Sequence, residues 1–496
     1  MKKVSLKNLN SCKALTPSTL FNSLFEIVFT MEPLPLSSSF RDPSGFVFSH
    51  NSCIYRQVNN RFAKNYAALI ESGLYDKLVS RGLLIPHQEI VDGSVPGTPD
   101  CYKIIKPQQI PFISYPYEWS FSQLKDAAML TLRVQHEAIK HGFVLKDASA
   151  FNVQFLDSKP VFIDTLSFDT YLQGTPWVAY KQFCQHFLAP LALMACTDIE
   201  LSKLMISHID GIPLPLASKL LPLRTRLNYS LATHIHLHSR MQQQHGDAAG
   251  KDATIKAKSA TLSEQGLRAL MESLARAVKK MIWKMPSTEW GNYYANTNYS
   301  DRAGDEKRAL VDRFLGSIPD QLKIIQDFGA NTGEFSRIAA KHCELVISQD
   351  IDPVAVELNY RENTANGPAN IMPLIQDFSS PSPAIGWGNA ERSSFLERSN
   401  CDALLVLALI HHLAISNNVP LPNIAKLFAG ITQWLIIEFV PKADSQVVRL
   451  LATREDIFTD YNQYGFEEAF SEHFSIEKST NVPESERILY LMKTRH

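Results

Sequence analysis

From Leu322 to the C-terminus, short apolar runs alternate with segments whose apolar residues recur at helical spacing. Residues 322–325, 345–348, 371–376, 402–412 and 434–441 read as strands, and the segments between them as helices. That alternation predicts a mostly parallel α/β sheet. Residues 474–482 and 487–493 suit a terminal antiparallel hairpin, which makes seven strands. Upstream, 121–140 has the pattern of a long helix. Leu267, Leu270, Met271, Leu274, Val278, Met281 and Ile282 mark one buried helical face, opened by a capping pattern of Thr261 with Glu264. Residues 307–315 read as a further amphipathic helix. Between these regions, 242–260 is small, polar and charged, with Ile255 its one large apolar residue, and it reads as a linker. The expected partition is an extension over 1–39, an α+β module over 40–240, a linker over 241–260, a helical prelude and lid over 261–318, and an α/β domain over 319–496.

Composition narrows the partners. The 496 residues carry 49 Lys and Arg against 50 Asp and Glu, a net charge of −1. A chain that holds nucleic acid by its phosphates usually shows a basic excess, so nucleic acid is not the partner expected. The seven cysteines are spread along the chain without a CxxC pair, which argues against a disulfide framework or a zinc site and fits a reducing cytoplasm. No apolar run approaches the ~20 residues of a membrane span, and no membrane partner is expected.

The candidate chemistry clusters at predicted strand ends. The first strand of the α/β domain runs into Asp327-Phe-Gly-Ala-Asn-Thr-Gly333. Glycines at a strand-to-helix turn let backbone approach a ligand closely. Here the spacing is Gly329-x-x-x-Gly333, unlike the dinucleotide pattern. Glu334 opens the helix, where its carboxylate would repel a pyrophosphate and tolerate a ligand carrying an amine and a sulfonium. The next strand ends at Asp350, with Asp352 its close rival for gripping a ribose diol. The third ends at Asp377-Phe378, a carboxylate for an exocyclic amine and a ring to pack on a base. Toward the ends of the fourth and fifth strands stand His411, His412 and Glu438. Each can take a proton from an acceptor, and imidazole titrates near neutrality.

In this order, DFGANTGEF, SQDIDP, QDF, CDALLVLALIHHL and IIEFVPK resemble the class I S-adenosylmethionine-dependent methyltransferases over about 175 residues. The resemblance implies a Rossmann-like fold, S-adenosylmethionine as cofactor and methyl transfer as activity. Asp327, Gly329, Asn331 and Gly333 would line the methionine half, Asp350 the ribose, and Asp377 and Phe378 the adenine. Asn331 stands where the commoner form has glycine. The Asp/Asn-Pro-Pro-Tyr/Phe tetrapeptide of base and glutamine methylation is absent after the fourth strand, which favours a small-molecule or a sugar- or peptide-linked acceptor. Tyr293, Tyr294 and Tyr299 precede the first strand, where related enzymes fold a lid.

The N-terminal module carries a second pattern. Lys146-Asp147-Ala-Ser-Ala-Phe-Asn152 is followed by a turn at 157–160 and an apolar run ending in Asp164. This resembles the catalytic loop and metal-binding Asp of protein-kinase-like folds, with residues 44–48 and 53–58 as the opening hairpin and 112–118 as the hinge. By that resemblance Asp147 would orient an acceptor, while Asn152 and Asp164 would hold Mg-ATP. The chain departs from the family in lacking a Gly-rich phosphate loop and the Val-Ala-x-Lys strand, and Thr165-Leu166 replaces Phe-Gly. An active kinase, a nucleotide-binding pseudokinase and a substrate-presenting domain remain open, as does an α+β domain whose Asp and Asn residues cap turns. For the whole chain, a bifunctional kinase-methyltransferase and a ligand sensor or scaffold without turnover stand beside methyl transfer.

Overall fold

The computed structural model describes residues 33–240, 262–286, 301–452 and 454–495. Most of the expected extension and linker, and the three tyrosines proposed as a lid, lie outside these residues. Two compact units emerge. One comprises the described residues up to Ala68 with Pro86–Gln109, and the other the described residues of Leu69–Ile85 and Ile110–His496.

The smaller unit is a four-stranded antiparallel sheet of β1 (Gly45–His50), β2 (Cys53–Asn59), β3 (His87–Ile90) and β4 (Cys101–Pro107), in the order β1-β2-β4-β3. The expected β1–β2 hairpin is present, turned through Asn51 and Ser52 at positive φ. Phe48, Tyr55, Val95 and Ile104 form its small core.

In the larger unit, β5 (Phe143–Leu145) pairs with β8 (Phe168–Thr170), and β6 (Val153–Leu156) with β7 (Lys159–Phe162). The sheet that dominates it contains β9 (Leu322–Phe328), β10 (Cys343–Asp350), β11 (Ile371–Ile375), β12 (Cys401–Val406), β13 (Thr432–Phe439), β14 (Phe474–Asn481) and β15 (Ile488–Thr494). Its order is β11-β10-β9-β12-β13-β15-β14. The first five strands are parallel, β15 runs antiparallel to β13, and β14 antiparallel to β15. This is the seven-stranded, mostly parallel sheet with a terminal hairpin that the sequence predicts. One layer of its core joins Ile325, Val346, Leu405 and Ile436 to Val311 and Phe314 of the helix Asp301–Gly316.

The helix Phe121–Lys140 forms where the apolar spacing places it, opened by a reciprocal Ser120–Gln123 capping box. Two expectations for the helix Glu264–Lys280 need correction. Its cap is Ser263, whose side chain accepts from Gly266 N, and Thr261 lies outside the described residues. The helix also stops at Lys280, so Ile282 leaves the buried stripe and is 70% exposed. Lys125 Nζ ends it by donating to Lys279 O (3.0 Å) and Met281 O (2.8 Å), a side-chain cap on terminal carbonyls.

Within the larger unit, the helix Phe121–Lys140 and the β6–β7 turn dress the edge of the seven-stranded sheet. Gln123 Nε2 donates to Pro373 O at 2.9 Å, and Ser158 Oγ lies 2.9 Å from both Ala369 O and Ile371 O. These bonds satisfy carbonyls that an edge strand leaves open. Glu118 and Arg398 add a buried ion pair, with the guanidinium 4.3 Å from the centroid of the Tyr115 ring.

Candidate active site

The strand order reverses between β9 and β12, and ligands of open α/β sheets bind outside the carboxyl ends of the strands at such a point. The turn leaving β9 is left-handed at Gly329 (φ 76°), Asn331 (52°) and Gly333 (82°). Gly329 N and Ala330 N both donate to Gln349 O at 2.9 Å, which anchors the turn to the end of β10. A Cβ on Gly333 would lie 2.3 Å from Asn359 Oδ1. Asn359 is itself fixed, by bonds of 2.7 Å to Ser348 and 2.9 Å to Asn363.

The same buried network orients Asp327, whose Oδ2 lies 2.6 Å from Ser336 Oγ, itself 2.7 Å from Ser348 Oγ. Asp350 Oδ2 accepts from Asn331 N at 2.8 Å and Oδ1 from Asp352 N at 2.9 Å. Asp352 is engaged otherwise, capping the helix Pro353–Ala365 through Val354 N. Burial pushes the Asp327 carboxyl up to about 7, opposed by the Ser336 bond and assisted by Asp350. Burial likewise raises Asp350 to about 6, opposed by the backbone N–H groups of Asp352 and Asn331.

At the end of β11, Asp377 Oδ1 accepts from both Ser379 N (2.8 Å) and Ser379 Oγ (2.6 Å). Phe378 stacks on Phe328, with centroids 4.0 Å apart and planes at 22°, so one face of its ring is already covered. Ile351 is not among the candidates read from the sequence. This apolar side chain follows Asp350 at the sheet rim and is 53% exposed, and only its position beside the ribose candidate marked it.

Beyond β12, Ala408 adopts φ 51°, a conformation costing roughly 1–2 kcal/mol for an L-residue. Such strain gathers at ligand sites. His411 is buried, and no described residue bonds its Nδ1. Burial, then His412, Arg487 and Lys307, hold its pKa well below the usual imidazole range, so it stays neutral. The half-buried His412 lies 4.2 Å away, centroid to centroid. Glu438 is placed differently from a free base. It pairs with Lys307 at 2.8 Å, both side chains buried, with Arg487 at 3.9 Å.

The N-terminal trio also comes together. Burial, with Asp164 next in weight, raises the Asp147 pKa, and the Asn152 amide donates to Ser167 Oγ at 3.3 Å. Asp147 Oδ1 accepts from Ser149 N and Gln182 Nε2, while Asp164 accepts from Leu166 N and Ser167 Oγ. The bonds from Ser149, Leu166 and Ser167 cap turns, whereas Gln182 reaches Asp147 from 35 positions away. Among the described residues, no group of three or more His, Cys, Asp or Glu side chains is arranged to hold a metal.

No family model matches the chain. The nodulation protein NoeA of Rhizobium meliloti (strain 1021) is 34% identical over 469 residues, covering 92% of this chain and 96% of NoeA. The chain belongs to the NoeA family. Among solved structures, the N-methyltransferase NodS of Bradyrhizobium japonicum WM9 overlaps this NoeA relative at 12% identity and a TM-score of 0.30, covering 40% of the chain and 99% of NodS. Magnesium protoporphyrin IX methyltransferase ChlM of Synechocystis PCC 6803 overlaps at 16% identity and a TM-score of 0.28, covering 42% and 93%. For the NoeA relative, strand order and direction carry the fold assignment, and these overlaps add no argument. The kinase-like resemblance draws no support from them.

Proposed function

We propose that this NoeA-family protein moves a methyl group from S-adenosylmethionine to a small molecule or a sugar- or peptide-linked intermediate. The observation that carries the reading is Asp350. Its carboxylate stands at the carboxyl end of β10, beside the reversal of strand order, oriented by backbone N–H groups from the glycine turn and from its own strand end. Each oxygen keeps a lone pair for a ribose hydroxyl. Gly329, Asn331 and Gly333 bring bare backbone to the methionine half, with Asp327 beneath them. Asp377 serves the adenine amine, and Phe378 and Ile351 the ring.

The cofactor supplies a methyl already activated on its sulfonium, so the protein's part is positioning and proton removal. Of the three candidate bases, neutral His411 suits that part best. Glu438 instead balances the buried Lys307. From the NoeA relative we carry over nodulation as the setting in which the product is used.

Full-length protein incubated with methyl-labelled S-adenosylmethionine and cell extract should release S-adenosylhomocysteine and label an extractable acceptor. His411→Gln should lower kcat by about 10²-fold or more while leaving S-adenosylhomocysteine affinity unchanged. Cofactor binding without turnover would favour a sensor, and nuclease-sensitive label a nucleic-acid acceptor.

A second reading rests on the proximity of Asp147, Asn152 and Asp164, which suits Mg-ATP. Mg-ATP titrated into protein saturated with S-adenosylhomocysteine should then give heat that Asp164→Ala abolishes. No heat would leave the trio as turn caps.

A further inference from the structure

One surface of the larger unit stands apart from the strand-end site in both charge and polarity. Residues 211–240 contain Lys219, Arg224, Arg226 and Arg240 and no Asp or Glu, in a chain whose net charge is −1. Within this stretch lies the short 3-10 helix Leu223–Leu227, followed by Tyr229. Leu227 is 91% exposed, Tyr229 79% and Leu223 72%. Thr225 alone in that helix turns inward, where its hydroxyl meets Pro222 O and His236. The outward arc therefore presents two leucines interleaved with two arginines.

The cations are not neutralised by any described carboxylate. No described carboxylate pairs with Lys219, Arg224 or Arg226, and Arg224 donates only to Cys196 O. Arg224 donates to Cys196 O and Thr197 Oγ1 to Leu220 O, just ahead of Asp198 and Glu200 in the chain. Glu200 is paired with Lys203, and Asp198 caps its own turn through Glu200 N. Residues 211–240 themselves carry these four cations and no carboxylate side chain.

Exposed leucine and tyrosine beside unpaired arginine match an anionic bilayer surface. Leucines enter the acyl boundary, tyrosine sits at headgroup level, and arginines meet lipid phosphate. No helix among the described residues is long and apolar enough to cross a membrane, so such a contact would be peripheral. We propose that the surface around Leu223–Leu227 and Tyr229 docks the protein onto anionic lipid membranes. This is independent of the methyl-transfer reading.

The test is co-sedimentation of full-length protein with vesicles of phosphatidylcholine containing about a quarter phosphatidylglycerol, and with pure phosphatidylcholine vesicles. The anionic vesicles should bind more protein, and raised salt should release it. Leu223→Ser with Leu227→Ser should weaken binding by about tenfold or more. Arg226→Gln with Lys219→Gln should weaken it by several-fold, with unchanged circular dichroism in both variants. Protein left in the supernatant overturns the proposal, and so does a leucine variant that binds like the wild type. A concentration-dependent dimer that the same leucine variant dissociates would assign the surface to a second copy of the chain and equally overturn it.

Discussion

Two carboxyls carry the cofactor reading at the residue scale, and both hold protons more tightly in the fold than a free carboxyl does. Asp350 is raised to about 6 and Asp327 to about 7, each chiefly by burial. The folded chain therefore keeps protons that the unfolded chain sheds above about 4. Between that pH and about 7 the unfolded state binds fewer protons, and the ligand-free protein should lose stability as pH rises. Thermal melts from pH 5 to 7.5 check this. Cofactor affinity should run the other way, because a ribose diol donates to the ionised carboxylate. Titrations of S-adenosylhomocysteine should tighten as pH climbs through about 6 and then level off. Gly333 supplies a second residue-scale test. Its φ of 82° and the 2.3 Å approach to Asn359 leave an alanine strained and overpacked, so Gly333→Ala should cost about 2–4 kcal/mol in chemical denaturation. These positions were legible because glycine spacing and strand-end acids follow directly from backbone geometry. The engagement of Glu438 with Lys307 was not. It joins residues 131 positions apart, and no local pattern announces it.

Elements tell the same story with longer levers. The strands of the seven-stranded sheet were readable from apolar runs, and boundaries moved by a few residues, as for β10, which extends to Cys343–Asp350. The helix Glu264–Lys280 shows why boundaries fail. Its apolar rhythm continues to Ile282, but Lys125 caps the terminal carbonyls from another element and the rhythm has no say. The Glu118–Arg398 pair is a further long-range tie, in which Ser382 Oγ also donates to Glu118 at 2.7 Å. Removing one partner leaves a buried charge, so Arg398→Ala should destabilise the protein by about 3–5 kcal/mol. A loss below about 1 kcal/mol would mean that the pair behaves as a surface bridge.

Across the whole molecule, the division into units was the least legible feature. Polar composition marks 242–260 as a linker, yet the helix Phe121–Lys140 belongs to the same compact unit as the seven-stranded sheet. The bonds that join them, from Gln123 to Pro373 and from Ser158 to Ala369 and Ile371, span more than 200 positions. A fragment starting at Asp301 would leave the β11 edge and the buried Glu357, which accepts from Ser122 N at 2.9 Å, without these partners. It should aggregate or unfold without a cooperative transition. The central claim, that the carboxyl end of this sheet holds S-adenosylmethionine through Asp350, is tested most directly by calorimetric titration of S-adenosylhomocysteine into full-length protein and its Asp350→Ala variant. The account predicts one saturable site in the wild type and no measurable heat in the folded variant. Equal affinity in the two, or no binding to the wild type, would contradict it.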